Sequence, residues 1–506
     1  MANIETNTEK QILKSDVSLC GRRKIFTSAD NITADNIVNV LNEVLSMHIW
    51  NMEQEEYLYW YRRGIQPILW RSREIRPELT KQIVVNNATQ VVTFCNGYFM
   101  TAPASYSSRT DDKTEEVKQF NDYCLSAQKS ICDNEVVDWF HTVGLGVMYL
   151  EPNDDDRRPF NVWSLDPRSA FNVYSYAPGN PRVMGVYCVV VNGEVLFDVY
   201  TKDRYFKLRG GLSAKTTFNT PVIGTATTLL ESKANVLGEI PIIEYQRDIN
   251  RMGSFEAAVP ICDAINEMQS QLQEGIEGSI QQLCVAWNCN FDEGTTANQI
   301  RESGMLVLRS TGENKADFKL LESKIPQAET QTNIDSLYEQ LLDKTGLPSI
   351  ARGEGGSSDN GSAVYLKSGY FIADTNRRNT EDFWRKSDEE FKRVALKIIK
   401  MRFASFDLEP SDMDLNIEPP TMSNLLVKTQ SALNMRELGL APQIWLERSG
   451  LSNDPIADIE LSSEYIYRFY EQGMNTNNQT DKSEIAEGEA LYDDRQAEEL
   501  SAFELD

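Results

Sequence analysis

The chain has only two histidines in 506 residues, His48 and His141, each inside an apolar helical stretch. Neither lies near a Gly-x-Ser-x-Gly turn, so a nucleophile–His–acid triad has no local signature here. A phosphate loop is missing as well. Gly210-Gly-Leu-Ser-Ala-Lys215-Thr216 carries Arg209 and Ala214 where the backbone cradle needs glycines, and Gly353-Glu-Gly355-Gly-Ser-Ser358 fails the last glycine of the dinucleotide pattern and follows no strand. The eight cysteines (Cys20, Cys95, Cys124, Cys132, Cys188, Cys262, Cys284, Cys289) form no CxxC pair. They read as free thiols in a reducing compartment, not as zinc ligands or a disulfide framework. No apolar run approaches the roughly 20 residues of a membrane helix, and the polar, acidic first ten residues are unlike a targeting peptide. The expectation is a chain that is soluble and cytoplasmic at synthesis, with no membrane, metal or cofactor.

Positive charge is also scarce: 50 Lys and Arg against 76 Asp and Glu give a formal net charge of −26. Tight non-specific nucleic-acid binding needs cations to neutralise phosphates, so that class is disfavoured. DNA as a transient passenger is still allowed. A protein that lets DNA slide does better to repel it weakly than to hold it.

What is present is a large core-forming fraction, 41% hydrophobic residues, over a length that suits two to four domains or one elongated chain. Residues 1–30 read as an arm of low order. Ile37, Val40, Leu41, Val44 and Leu45 fall at helical spacing after Thr33 or Asp35 as N-cap, and a second helix with Tyr57, Trp60 and Tyr61 on one face ends at Gly64. That aromatic stripe is read as core. Residues 112–141 read as a helix pair. A β region follows, with runs at 144–150, 160–165, 182–191, 194–200 and 204–208; Asn192-Gly193 is the favoured two-residue hairpin turn. Asn153-Asp-Asp-Asp-Arg-Arg158 is read as a solvated turn, with a metal site as the weaker alternative. A last strand lies in 238–245.

The second half is helical. Ile261, Ile265, Met268, Leu272, Ile276, Ile280 and Leu283 make one apolar seam on a helix whose other faces carry Gln269, Gln271, Gln273, Gln281 and Gln282. A small α/β tip follows, then a helix carrying Ile334, Leu337, Tyr338 and Leu341. Residues 347–362 (LPSIARGEGGSSDNGS) form a glycine- and serine-rich loop with little apolar material to dock, expected to be mobile between rigid flanks. Residues 363–401 read as one long helix, bent near Gly369 or Asp374-Thr-Asn376. Its cations are offset by Glu381/Arg385, Asp382/Lys386, Asp388/Lys392 and Glu389/Arg393, acid-before-base pairs four apart that suit a solvated helix better than a DNA-binding face. A short strand at 414–418, helices at 424–438 and 442–448 and an acidic tail from 481 complete the chain.

Several stretches, taken in order, resemble the portal (head-to-tail connector) proteins of tailed bacteriophages, of the family typified by long-tailed phages of Gram-positive bacteria. They are Tyr61-Arg-Arg-Gly-Ile-Gln-Pro-Ile-Leu69, Asn86-Asn87 through Gly97, Pro103-Ala-Ser-Tyr106, Gly144 to Tyr149 with Asp166-Pro167, and Gly238-Glu-Ile-Pro241. They continue with Asp263-Ala-Ile-Asn266 and Ser270, Gly346-Leu-Pro348, and Gly361-Ser-Ala363. Each is short; their order and spacing over about 57–450 carry the likeness.

The resemblance implies an α+β portal fold with a helical stem, a small α/β clip, a mixed α/β wing and an α-helical crown, in a twelve-subunit ring. Its segments would be an N-terminal arm (1–32), wing (33–253), stem helix (254–283), clip (284–325), second stem helix (326–346), tunnel loop (347–362), long wing helix (363–402), wing return and crown (403–475) and acidic tail (476–506). It implies a non-enzymatic channel at one capsid vertex, through which double-stranded DNA is packaged by the terminase and later ejected. Further implied partners are the major capsid and scaffolding proteins and a head-completion adaptor. The implied residues are Arg352, Gly353, Glu354, Gly355, Gly356, Ser357, Asn360 and Lys367 at the tunnel loop, Gln269, Gln273 and Gln281 on the stem's channel face, and Arg301, Glu302 and Arg309 for docking at the clip. The alternatives are another helical virion or scaffold protein, or a metal-dependent nucleic-acid-processing enzyme.

Overall fold

The computed structural model describes residues 19–29, 31–72, 80–109, 111–212, 223–280, 283–287, 289–290, 309–310, 317–321, 327–349, 369–417, 425–452 and a few positions between 455 and 462. The chain divides into two compact units, Met1–Thr101 with Tyr123–Ala404 and Ala102–Asp122 with Ser405–Asp506.

The first unit opens on strand β1 (Ile25–Thr27) and helix α1 (Ile37–Arg62). The two helices expected before Gly64 are one, about 39 Å long at 1.5 Å per residue. Its cap is Asn36, whose Oδ1 accepts from the Thr33 amide, not Thr33 or Asp35. The first half of α1 lays Ile37, Val40, Leu41, Val44, Leu45 and Met52 on a six-stranded sheet, and the second half puts Tyr57, Leu58 and Tyr61 into a separate helical core. The aromatic stripe is therefore core: Tyr57 and Tyr61 are buried and Trp60 is half-buried.

The sheet runs β1, β5 (Ala170–Ser175), β6 (Arg182–Val191), β7 (Glu194–Thr201), β8 (Arg204–Leu212) and β9 (Ile223–Ala234). All neighbours are antiparallel except β1 on β5, so residues 25–27, expected in an arm of low order, are an edge strand. Alternation along β7 sends Val195, Phe197 and Val199 inward, which fixes the register because a one-residue slip would expose all three. Asn192 and Gly193 both have positive φ (53° and 82°), as the two-residue turn between β6 and β7 requires.

A second sheet of three strands, in the order β10 (Ile242–Gln246), β3 (Leu145–Asp155), β4 (Arg158–Leu165), is antiparallel throughout. At its hairpin turn Arg402 bonds to Asp156 and to the Asp154 carbonyl, so these aspartates face a guanidinium. Among the described residues the remaining helices of this unit are α2 (Asn87–Phe99), α4 (Lys129–Val143), α5 (Val259–Ile280), α6 (Gln327–Thr345) and α7 (Tyr370–Arg402); α3 (Thr114–Ser126) begins in the second unit's residues and ends in the first's. Between α5 and α6, β11 (Leu283–Trp287) pairs with β14 (Asp317–Leu321) and β12 (Cys289–Asn290) with β13 (Arg309–Ser310). The helix expected at 296–303 lies outside the described residues.

In the second unit, β2 (Ser105–Ser108) pairs antiparallel with β15 (Met413–Asn416), and Asn121 exchanges two side-chain hydrogen bonds with the Tyr106 backbone. Helices α8 (Leu425–Glu437) and α9 (Pro442–Ser449) stop before Gly439 and at Gly450, both at positive φ, as their sequence promised.

The long helix differs from its expectation. Gly369 stands at φ +80° as the residue before α7, so it starts the helix and does not bend it, and the helix is about 50 Å long. Nor is it simply solvated. Trp384, Phe391, Val394, Ala395 and Ile399 are buried, and so are Asp388 and Lys392. Of the four expected ion pairs, Glu381–Arg385 forms at 2.5 Å. Glu389 takes Lys392 at 2.5 Å, Arg393 reaches Glu239 at 3.6 Å instead, and Lys386 has no ionic partner among the described residues.

Candidate functional site: the helix pair that holds the loop

Helices α5 and α6 pack through Cys262 and Ile265 against Leu341 and Leu342, with Leu337 and Tyr338 at the edge. The expected seam on α5 is half right. Ile265 is buried, Ile261 is partly so, and Met268, Leu272 and Ile276 stay half-buried, while the positions the helix buries fully include the polar Asn266, Ser270 and Glu274.

Those three polar residues grip an extended stretch of backbone. The amides of Lys81, Ile83 and Val85 donate to Glu274 Oε1 (2.9 Å), Ser270 Oγ (3.0 Å) and Asn266 Oδ1 (2.8 Å). Two residues of extended chain rise about 6.6 Å and four residues of helix about 6.0 Å, so an i, i+4, i+8 ladder on α5 matches alternate amides. Ion pairs reinforce it: Arg71 with Glu267 (3.0 Å) and Glu274 (2.9 Å), and Lys81 with Glu277 (2.6 Å). Asn266 Nδ2 also donates to Gln66 Oε1 at 2.5 Å, Tyr61 donates to Asp263 at 2.8 Å, and Asn86 caps α2 while its Nδ2 donates to the Arg62 carbonyl. Burial, with the Asp263 charge beside it, pushes the Tyr61 phenol well up, so it stays a donor. The residues quoted for the resemblance at 61–69, 86–97, 263–266 and 270 thus meet in one polar network. No spacing rule could reveal it, because backbone amides carry no sequence signal.

The exit from α6 is built with equal care. The Leu347 amide donates to the Leu342 carbonyl (3.0 Å) and the Gly346 amide to the Asp343 carbonyl (3.4 Å), the Schellman arrangement, with Leu347 and Leu342 in one apolar cluster. Gly346 has φ +69°, and a Cβ there would lie 2.2 Å from Asn376 Nδ2 on α7. A Cβ on Gly369 would sit 3.7 Å from the Pro348 Cα. Pro348, at the start of the glycine-rich segment, and Gly369, the residue before α7, are therefore held side by side. Gly346→Ala is expected to destabilise the chain by about 1–2 kcal/mol through the left-handed backbone and the clash. Denaturant midpoints would check this. Asn376→Ala added to it should recover less than half of the loss, because only the clash is relieved.

Both histidines are structural. His48 is buried, contacts the Arg168 carbonyl at 2.9 Å and stacks on Phe171, and burial lowers its pKa to about 4. His141 bonds to Asn96 Oδ1 at 2.7 Å and is held well below the usual imidazole range by burial and then by Arg247 and Arg62. Of the described cysteines, Cys124, Cys132, Cys188 and Cys262 are buried free thiols, whereas Cys20 is exposed.

On the stem candidates, Gln273 is exposed and Gln269 half-buried on α5. Arg309 opens β13, opposite Asn290. Gln281, Arg301, Glu302, Arg352, Gly353, Glu354, Gly355, Gly356, Ser357, Asn360 and Lys367 lie outside the described residues.

The chain is similar to three solved chains of gene transfer agent particles. It shares 9% identity and a TM-score of 0.38 with a chain titled as the virion of a native gene transfer agent particle, covering 72% of this chain and 89% of that one. For the neck of an empty gene transfer agent particle the values are 12%, 0.41, 72% and 89%, and for the neck of a native particle 10%, 0.39, 72% and 90%. No curated protein sequence matches. The family described as "Phage portal protein, SPP1 Gp6-like" matches residues 6–464. That match spans nearly the whole chain, and the chain belongs to the SPP1 Gp6-like family of phage portal proteins, non-enzymatic structural components of the virion's portal vertex.

Proposed function

We propose that copies of this chain close into a twelve-subunit ring whose channel passes double-stranded DNA. On this reading residues 33–253 and 363–402 are the wing, 254–283 and 326–346 the stem, 284–325 the clip, 347–362 the tunnel loop and 403–475 the wing return and crown. The observation that carries it is the clamped base of the glycine-rich segment. Gly346 against Asn376 and Pro348 beside Gly369 anchor a loop of mostly small, uncharged residues on two helices, a suitable mount for a part that meets a moving polymer. The half-buried Met268, Leu272 and Ile276 on α5 fit the same reading, since ring closure has to cover apolar helix surface left over within one subunit.

The ATP is spent by a docked terminase, and this chain contributes positioning and low friction. Gln269, Gln273 and Gln281 with the net charge of −26 give the stem no lasting grip on phosphates. Arg352 is the loop's one cation between Leu347 and Ser362 and would touch a phosphate briefly. Arg301, Glu302 and Arg309 are the docking residues for the terminase and, later, the head-completion adaptor. Deleting Gly353 to Gly356 is expected to leave assembly intact and to lower the yield of DNA-filled particles at least tenfold, scored by nuclease-protected genome per particle. Wild-type packaging by this deletion would refute the role of the loop.

A further inference from the structure

We propose that a cleft of about 260 Å³ on the first unit is a binding site for a dianionic phosphate group. It is walled by the chain just before β1, the β5–β6 and β7–β8 turns, β10 and α7. In a chain with a net charge of −26 this wall is basic: Lys24, Arg182, Lys202, Arg251, Lys386 and Arg393 line it against Glu239, Glu244 and Glu390.

The ion pairs within the cleft decide which charges remain. Arg182 takes Glu390 at 2.9 Å, the buried Arg251 takes Glu244 at 3.0 Å, and Arg393 reaches Glu239 at 3.6 Å, with Lys397 on the same carboxylate at 3.8 Å. Every carboxylate is thereby used by a guanidinium. Lys24, Lys202 and Lys386 have no ionic partner among the described residues, Lys24 lying over the Tyr174 ring at 5.2 Å. The Lys24 ammonium is pushed below its usual range by burial and then by the facing charges of Arg251 and Lys386, against weaker support from Glu244 and Glu390. Like charges are thus brought together along this wall.

The free cations also select the ligand. A carboxylate would prefer the planar forks, which are engaged already, whereas ammonium groups act as point charges suited to phosphate. A carboxylate brings one negative charge, and a terminal or inorganic phosphate about 1.5 to 2 at pH 7, closer to three unpaired lysines. The cleft is far too small for a duplex, so its occupant is a free phosphate or a terminal phosphate on a nucleotide or strand end. The proposal does not depend on the portal reading.

The test is calorimetric titration of the full-length assembled protein with inorganic phosphate at constant ionic strength. Saturable binding is expected, weakened at least tenfold in Lys24→Gln/Lys202→Gln/Lys386→Gln and by an intermediate factor in Lys386→Gln alone. It should be unchanged in Lys344→Gln, exposed on α6 and outside the cleft lining. Lys202 and Lys386 are exposed and Lys24 is partly buried, and thermal melts would confirm folding. Preference for a 5′-phosphorylated over a 5′-hydroxyl oligonucleotide would assign the phosphate to a strand end; no preference would assign it to free phosphate. No saturable phosphate binding, equal affinity in the triple variant, or binding of an acidic peptide but not phosphate would overturn the proposal.

Discussion

Lys129→Met is expected to destabilise the folded chain by about 3–5 kcal/mol, the cost of removing one partner from a buried ion cluster. Lys129 opens α4 and is 2% exposed, Asp133 one turn later is 1% exposed, and Asp388 on α7 is 0% exposed. The ammonium lies 2.7 and 2.9 Å from the Asp133 oxygens, 3.7 Å from Asp388 and 4.6 Å from the centre of the Phe391 ring. Burial alone would lower the Lys129 pKa, yet the two carboxylates outweigh it and hold it above its usual range. Without the lysine, two carboxylates would face each other in the core. Burial already raises Asp133, and loss of its partner would raise it further. A folded-state carboxyl pKa above the unfolded value stabilises at low pH and is penalised as pH rises through it, so the deficit should be larger at pH 8 than at pH 5. Denaturant unfolding at both pH values measures this. Adding Asp133→Asn and Asp388→Asn should recover most of the loss. A deficit below 1 kcal/mol, or one independent of pH, would show that the cluster does not tie α4 to α7.

Glu55→Gln should have the opposite sign. Glu55 is fully buried on α1, and neither carboxylate oxygen has a hydrogen-bond partner among the described residues. Burial raises its pKa from 4.5 to about 7, with Arg22 and Arg168 opposing and Asp166 and Glu244 adding to the rise. Between those two values the unfolded chain ionises and the folded one resists, so wild-type stability falls as pH rises from about 4.5 and levels off above 7. At 1.36 kcal/mol per unit the penalty is about 3 kcal/mol at pH 8. Glutamine cannot ionise. It is expected to gain most of that at pH 8 and only about 1 kcal/mol or less at pH 5, where the folded Glu55 is protonated and the unfolded carboxyl is already partly ionised. Unfolding free energies of both proteins across pH 5–8 would check it, and a gap constant with pH would contradict the assignment of the titration to Glu55.

These two sites show where sequence reading reaches its limit. Strands β4, β6 and β7, helices α3 and α4, and the stops after α8 and α9 follow from alternation, spacing and Gly at positive φ, all of which are local. Strand β1 was missed because three residues of edge strand have no period, and its reason for ordering is distant: Arg22 forms a buried ion pair with Glu256 and donates to the Val143 carbonyl at 2.9 Å. On α7, pairs four apart describe an isolated helix, whereas Asp388 and Lys392 answer to what packs against them. The polar ladder on α5 hid in the same way, since Asn266, Ser270 and Glu274 look like a solvent face until the amides they serve are seen. The glycine-rich segment itself was legible, and its anchoring by Gly346 and Gly369 came only from the fold.

The central claim is that this chain is a ring-forming portal subunit, and electron microscopy of the purified full-length protein tests it most directly. Rings with a central hole and twelve-fold symmetry are the predicted result. Compact monomers at every concentration, with no ring in any class of particle, would contradict the account.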